Sequence, residues 1–418
     1  MSTLIKNAQL ADRTKIDLLI KNGKIAKVVP NITEKATREI DATGLTLLPG
    51  LVDMHVHLRD PGQEYKEDIK TGTASAAKGG VTSLACMPNT APVNDNKTVT
   101  SYIKYKAAAE AAVKVYPIGA ITKGLQGEEL ASYESMISAG AVGFSDDGRP
   151  VESAGIMKKA MQYIAMLGKP LIAHCEELSL SGGVMNEGLT STILGLRGIP
   201  NSMEDCMVAR DIILCRETGA PVHFAHISTK GALELIRRAK QDGLPVTCET
   251  APHYFTLTEV ACEGFNTLAK VNPPLRSEED RQAVIEAIRD GTIDVIATDH
   301  APHHEDEKLT DFNSALNGLC GLETLLPLSY TILVKQNNLP LSQILPLLSA
   351  NPAKILGIEA GTLEEGISAD CILADLDTPY TIHRKNYASK SKNAPYDGME
   401  VYGRAVYTFV DGNPVVQP

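Results

Sequence analysis

Across about 300 residues the chain alternates short β-type runs with segments of helical period, a rhythm that requires βαβ units and a parallel sheet. The apolar runs read LVDMHVH, VTSLACM, VKVYPIG, AVGFS, PLIAH, PVHFAHI, PVTCE and DVIATD. They end near His57, Met87, Gly119, Ser145, His174, His226, Glu249 and Asp299. Residues 67–78, 128–139, 153–167, 203–217 and 230–241, lying between them, have helix-forming composition. Eight such units predict an α/β fold in which a (β/α)8 TIM-type barrel closes on itself. An open doubly wound sheet is the other arrangement of such units, but no glycine-rich phosphate loop follows any of these strands.

The two ends have a different texture. Residues 3–49 hold short strand-like pieces broken by turns, and β-type pieces return after residue 360. The expected organisation is residues 51–355 as the barrel. Residues 1–50 and 356–418 join beside it as one small β-sandwich domain. A hydrophobic content of 43% suits a buried core. With 40 Lys and Arg against 51 Asp and Glu, the formal net charge is −11, which predicts no nucleic-acid partner and no anionic membrane partner. An anionic substrate must then be met by locally placed cations. The opening Met1-Ser2-Thr3-Leu4-Ile5-Lys6 lacks a signal-peptide pattern, no apolar run approaches membrane-span length, and the eight cysteines are scattered without a CxxC pair. These features predict a cytoplasmic protein with reduced thiols.

The chemistry concentrates at strand ends. His55 and His57 stand two apart on one strand, so their side chains share a face and can bind one metal, with Arg59 at the mouth. His174, His226 and Asp299 close three further strands, and barrel enzymes keep their reactive groups at such ends. Buried without partners, these groups would be costly; a metal accounts for all of them together. Imidazole and carboxylate without thiolate suit Zn²⁺ and related divalent ions, one or two per subunit. A second ion needs a bridging anion, which Phe144-Ser145-Asp146-Asp147-Gly148 offers. Parity along this strand selects Asp147 and leaves Asp146 to local turn hydrogen bonds. The same parity puts His223 and His300 on the opposite face, in structural roles, and leaves His253 open. Lys123, Glu176 and Glu177 are equally compatible with supporting the site and with simple solvation.

Taken together, LPGLVDMHVHLRDPG, CMPNT, FSDDG, AHCEE, AHIST, NPPLR, ATDHAPH and NPAKILG resemble the dihydroorotases of the amidohydrolase superfamily over nearly the whole chain. The resemblance implies a metal-holding barrel flanked by a β domain built from both termini. It implies His55, His57 and Asp299 on one metal, His174 and His226 on the other, and the FSDDG acid, Asp147, between them. Related hydantoinases and allantoinases use a carboxylated lysine as the bridge, and the FSDDG segment has no lysine. The implied reaction is the reversible conversion of N-carbamoyl-L-aspartate to L-dihydroorotate in pyrimidine biosynthesis, with Asp299 as proton shuttle. Arg59 offers a fork for the substrate carboxylate. Asn89, Asn272 and His303 resemble the family's other substrate contacts. A homodimer and an aspartate carbamoyltransferase partner are the assemblies the resemblance brings into consideration. The alternatives are a hydantoinase-like or allantoinase-like cyclic amidohydrolase and a non-catalytic subunit supporting a carbamoyltransferase. The polar segment 302–318 is long for a barrel loop and is expected to close over substrate.

Overall fold

A computed structural model describes residues 2–418. Eight parallel strands, Leu51–Val56, Val81–Cys86, Lys114–Gly119, Gly143–Ser145, Leu171–Ala173, Val222–Phe224, Val246–Thr250 and Val295–Ile296, pair in strict chain order. The ring closes where the His57 N–H donates to the His300 carbonyl at 2.8 Å and Val56 bridges His300 in parallel. The expected barrel is met. Its strands are short and buried, so they read as continuous apolar runs, as strands covered on both faces do.

The helices between strands follow from local chemistry. Lys230–Gln241 buries Ala232, Leu233, Ile236 and Ala239, a spacing that lines up one face against the sheet. Its N-cap Thr229 accepts from the Ala232 N–H, and Arg238 and Lys240 sit in the last turn, where the helix dipole favours cations. Asp68, Ser153 and Ser277 cap Ile69–Lys78, Ala154–Met166 and Glu278–Arg289 in the same way. The sequence reading did not single out Lys97–Glu110 as a helix. It buries only Val99, Thr100 and Ile103, too few apolar positions for a clear periodic signal.

Both termini enter one eight-stranded sheet. Ser2–Gln9 pairs with Lys15–Lys21 and Arg38–Asp41, while Cys371–Asp375 lies between Thr46–Pro49 and Arg404–Val410. Ile5, Leu18, Leu47, Cys371, Leu373 and Phe409 pack into a separate apolar core there. Because the sheet strand Thr46–Pro49 ends two residues before Leu51 begins the barrel, the first barrel strand is held at its N-terminal end by the flanking sheet. Its C-terminal end, carrying His55, is left for the site. Among the described residues, no helix is long and apolar enough to cross a membrane.

Candidate metal centre and substrate cleft

Five strand ends bring four imidazoles and two carboxylates to one point. Asp147 Oδ1 lies 3.2 Å from His55 Nε2, 3.4 Å from His174 Nδ1 and 3.3 Å from His226 Nε2. Its Oδ2 lies 3.2 Å from His57 Nε2. Asp299 Oδ1 approaches His57 Nε2 at 3.2 Å and His55 Nε2 at 3.6 Å. Asp146 is turned away; its oxygens accept from the Ile121 and Thr122 N–H groups and from the Thr122 hydroxyl.

The outer ring nitrogens decide what the inner ones can do. His55 Nδ1 donates to Glu249, His57 Nδ1 donates to Asn89 Oδ1 at 2.8 Å, and His174 Nε2 donates to Glu176 Oε2 at 2.9 Å. A neutral imidazole has one N–H, so each of these rings turns a bare lone pair inward. There the lone pairs meet carboxylate oxygens, and His174 Nδ1 meets His226 Nε2 at 2.8 Å. Acceptors facing acceptors in a buried site need a cation between them, and outward donation to a carboxylate or amide is the usual support of a metal-binding imidazole. Two groups have the required convergence: His55, His57 and Asp147; and Asp147, His174 and His226. The residues present fit two divalent ions sharing Asp147, with Asp299 against the first.

Electrostatics agree with this crowding. Burial works to raise the Asp147 carboxyl, but positive charge on the surrounding imidazoles, with protons in the place a cation would take, holds it well below the usual range. Burial likewise opposes ionisation of Asp299, and its hydrogen bond to His57 and the charges of His55 and His57 lower it. His174 is penalised by burial yet pushed up to about 10 by Asp147 and Glu176. The cluster is thus a pool of negative potential built to hold positive charge. Three residues of the cleft also hold left-handed backbone angles uncommon outside glycine: Arg59 at φ 59°, His226 at 36° and Asp299 at 48°. Such strain persists where surrounding contacts over-determine it, as at functional sites.

His57, Asp147, His174, His226 and Asp299 form the floor of a cleft of about 220 Å³ lined also by Arg59, Asn89, Asn272, His303 and Asn317. That size admits a small ring. Arg59 reaches the mouth by a route other than strand alternation: the strand stops at Val56, and a left-handed turn presents the side chain. Its Nε donates to Pro302 O at 3.2 Å, and its Nη2 lies 3.5 Å from His303 Nε2. His303 lines the cleft with its ring committed, Nε2 donating to Asn317 O at 2.7 Å and Nδ1 lying 3.4 Å from Lys66 Nζ. Burial and the charges of Arg59, Lys66 and Lys308 push it down to about 2, so the ring is neutral. Asn272 Nδ2 donates to Glu176 Oε2 at 3.1 Å and its Oδ1 has no partner.

Other histidines stand apart. His223 bonds Thr247 and Glu249, and His300 Nδ1 accepts from the Gly321 N–H. His253 is buried against Tyr254 with neither ring nitrogen bonded, and burial lowers it to about 4. The residue that sequence reasoning missed is Glu249. It ends the seventh strand as Asp299 ends the eighth, and a buried acid in that position was the available signal. Its carboxylate fixes His55 from behind and is itself held by His223.

Comparison with known proteins accords with this geometry. A family model described as dihydro-orotase-like matches residues 44–232. A dihydroorotase of Acetivibrio thermocellus is 55% identical over 96% of this chain and 95% of its own length. One of Ruminiclostridium cellulolyticum is 52% identical over 100% and 99%. Among solved structures, L-hydantoinase from Arthrobacter aurescens superposes with a TM-score of 0.90 at 30% identity, covering 99% of this chain and 96% of that one. With such identity sustained from end to end, the chain belongs to the dihydroorotase family.

Proposed function

We propose that this chain is a metal-dependent dihydroorotase that interconverts N-carbamoyl-L-aspartate and L-dihydroorotate. The observation that carries the reading is the shared carboxylate of Asp147. It meets four imidazoles, three of them anchored at their outer nitrogens to Glu249, Asn89 and Glu176, in a cleft that Arg59 also lines. His55, His57 and Asp299 would hold one ion, His174 and His226 the other, with Asp147 common to both. The donor set suits Zn²⁺. When bound, such ions supply Lewis acidity, which acidifies water and polarises a carbonyl.

The protein's own groups do the rest. In ring opening, water oxygen bonds to the ring amide carbon, the carbon–nitrogen bond breaks, and the nitrogen must gain a proton. Asp299, ionised and beside the cluster, takes the proton from water and delivers it to that nitrogen; ring closure runs the same transfer backwards. The substrate carboxylate lies outside the scissile bond and meets the Arg59 guanidinium, whose planar fork matches it. Asn89 and Asn272 border the same space, and Asn272 Oδ1 is free to accept from a ring N–H. His303, neutral and pinned to Asn317, shapes the carboxylate end and contributes no charge.

Side-by-side assays with L-dihydroorotate and with hydantoin, an uncharged ring, test the reading. Dihydroorotate should be strongly preferred, and Arg59→Met should raise its KM by roughly tenfold or more, the loss of a charge-assisted pair. Preference for hydantoin, or an indifferent Arg59→Met, would overturn it.

A further inference from the structure

Two buried lysines outside the metal cluster have no carboxylate partner. Lys270 is 5% exposed and Lys308 1% exposed, and among the described residues neither forms an ion pair. Lys270 Nζ donates to Phe312 O at 2.8 Å, Asn313 O at 3.0 Å and Ala315 O at 2.7 Å. Lys308 Nζ donates to Leu316 O at 2.7 Å, Gly318 O at 3.0 Å and Lys270 O at 3.2 Å. An ammonium has three N–H donors, so both are fully spent on main-chain carbonyls. Burying a charge without a counter-ion is costly, and burial together with the Lys270 charge pushes Lys308 down to about 7.

What this arrangement holds is the far wall of the cleft. Leu316, Asn317 and Gly318 line the space above the metal cluster, and Asn317 O takes the His303 N–H. The Gly318 N–H returns to Lys270 O, and Asn393 Nδ2 reaches Gly318 O and Ala301 O. Were segment 312–318 to open and close each turnover, it would have to break the five ammonium hydrogen bonds its carbonyls accept, leaving Lys270 without an acceptor and Lys308 with one. That is the behaviour of a fixed wall, in contrast to the mobile lid expected from the length and polarity of residues 302–318.

We infer that Lys270 and Lys308 are positioning residues, and that the five ammonium hydrogen bonds they give to carbonyls of segment 312–318 hold it as a permanent wall of the substrate cleft, keeping Asn317, and through it His303, in register with Arg59. The inference rests on the proposed substrate only for its kinetic consequence. Lys308→Met should raise KM for dihydroorotate and carbamoyl aspartate by roughly tenfold while kcat stays within about threefold and metal content is unchanged. Lys308→Arg, which keeps the donors, should recover part of the loss. The double variant with Lys270→Met should be no worse than the poorer single one, since both act through one segment.

Hydrogen exchange on the wild-type holoenzyme supplies an arm independent of substrate identity and of any variant's folding. Amides of 312–318 should be protected without ligand and unchanged by adding dihydroorotate, and they should lose protection in Lys308→Met. Three results would each overturn the inference: protection that appears only on ligand addition, an unchanged KM in Lys308→Met, or kcat and metal falling together there. Failure of the wild type to turn over dihydroorotate while 312–318 remains protected would sink the proposed function and leave the wall standing.

Discussion

The terminal sheet and the barrel mouth solve opposite problems with the same chain. The sheet buries Ile5, Leu18, Leu47, Leu373 and Phe409 in an apolar core and carries ion pairs on its surface, where Lys21 and Lys27 share Glu34 and Arg13 meets Asp377. The mouth buries charge: six metal-type ligands, Arg59, Lys66 and Lys308 all lie within the protein. Apolar burial stabilises in proportion to area and tolerates conservative exchange. A buried charge stabilises only with its partner present, and removing one partner leaves the other exposed to the full desolvation cost. Changes in the sheet should therefore move stability and spare catalysis, whereas changes at the mouth act through the charged partner left behind and reach catalysis; only a near-isosteric exchange there should leave stability in place.

The sharpest way to break that contrast is Asp299→Asn. Loss of the proton shuttle should reduce kcat by about 10²–10⁴, with the melting temperature little changed; turnover close to wild type would remove the assigned role. Next comes Phe409→Ala in the sheet, expected to lower unfolding free energy by about 3–5 kcal/mol in denaturant titrations and to leave kcat/KM of the surviving folded protein intact. A smaller effect belongs to Glu249→Gln. It should weaken metal affinity by about 10–100-fold in chelator competition, because a neutral amide supports the His55 N–H less strongly than a carboxylate does. Unaltered affinity would mean that Glu249 serves only the fold. At the small end, Glu34→Gln, in partly exposed surface pairs, should leave the thermal midpoint unchanged within error at physiological salt.

A pH series adds a milder test inside the barrel wall. Burial raises Asp211 to about 6 against the opposing charge of Arg210. Its folded value lies above its unfolded one. The protonated form therefore lends stability that is complete below about pH 4 and lost as pH rises through about 6. Asp211→Asn should flatten that slope between pH 4 and 6 without touching the metal. An identical pH profile in the variant would assign the slope elsewhere.

Much of this was legible in the residues. The barrel strands end within three residues of the points where their apolar runs end, the eighth stopping at Ile296 and not at Asp299, and alternation separates Asp147 from Asp146 although the strand itself stops at Ser145. Arg59 lines the cleft, and a left-handed turn, not strand parity, delivers it there. Glu249 and the two lysines stayed hidden because their meaning lies in partners remote in sequence. Glu249 meets His55 194 positions away, and Lys270 meets carbonyls more than 40 positions on. Periodicity shows which face a residue occupies and is silent on which carbonyl or imidazole it will find there.

The central claim is that Asp147 and the four imidazoles hold catalytic metal. Protein stripped by chelator should bind Zn²⁺ at one to two ions per chain and regain cyclisation of N-carbamoyl-L-aspartate in proportion to occupancy. Full turnover in the metal-free protein, or none at saturation with metal, would contradict it.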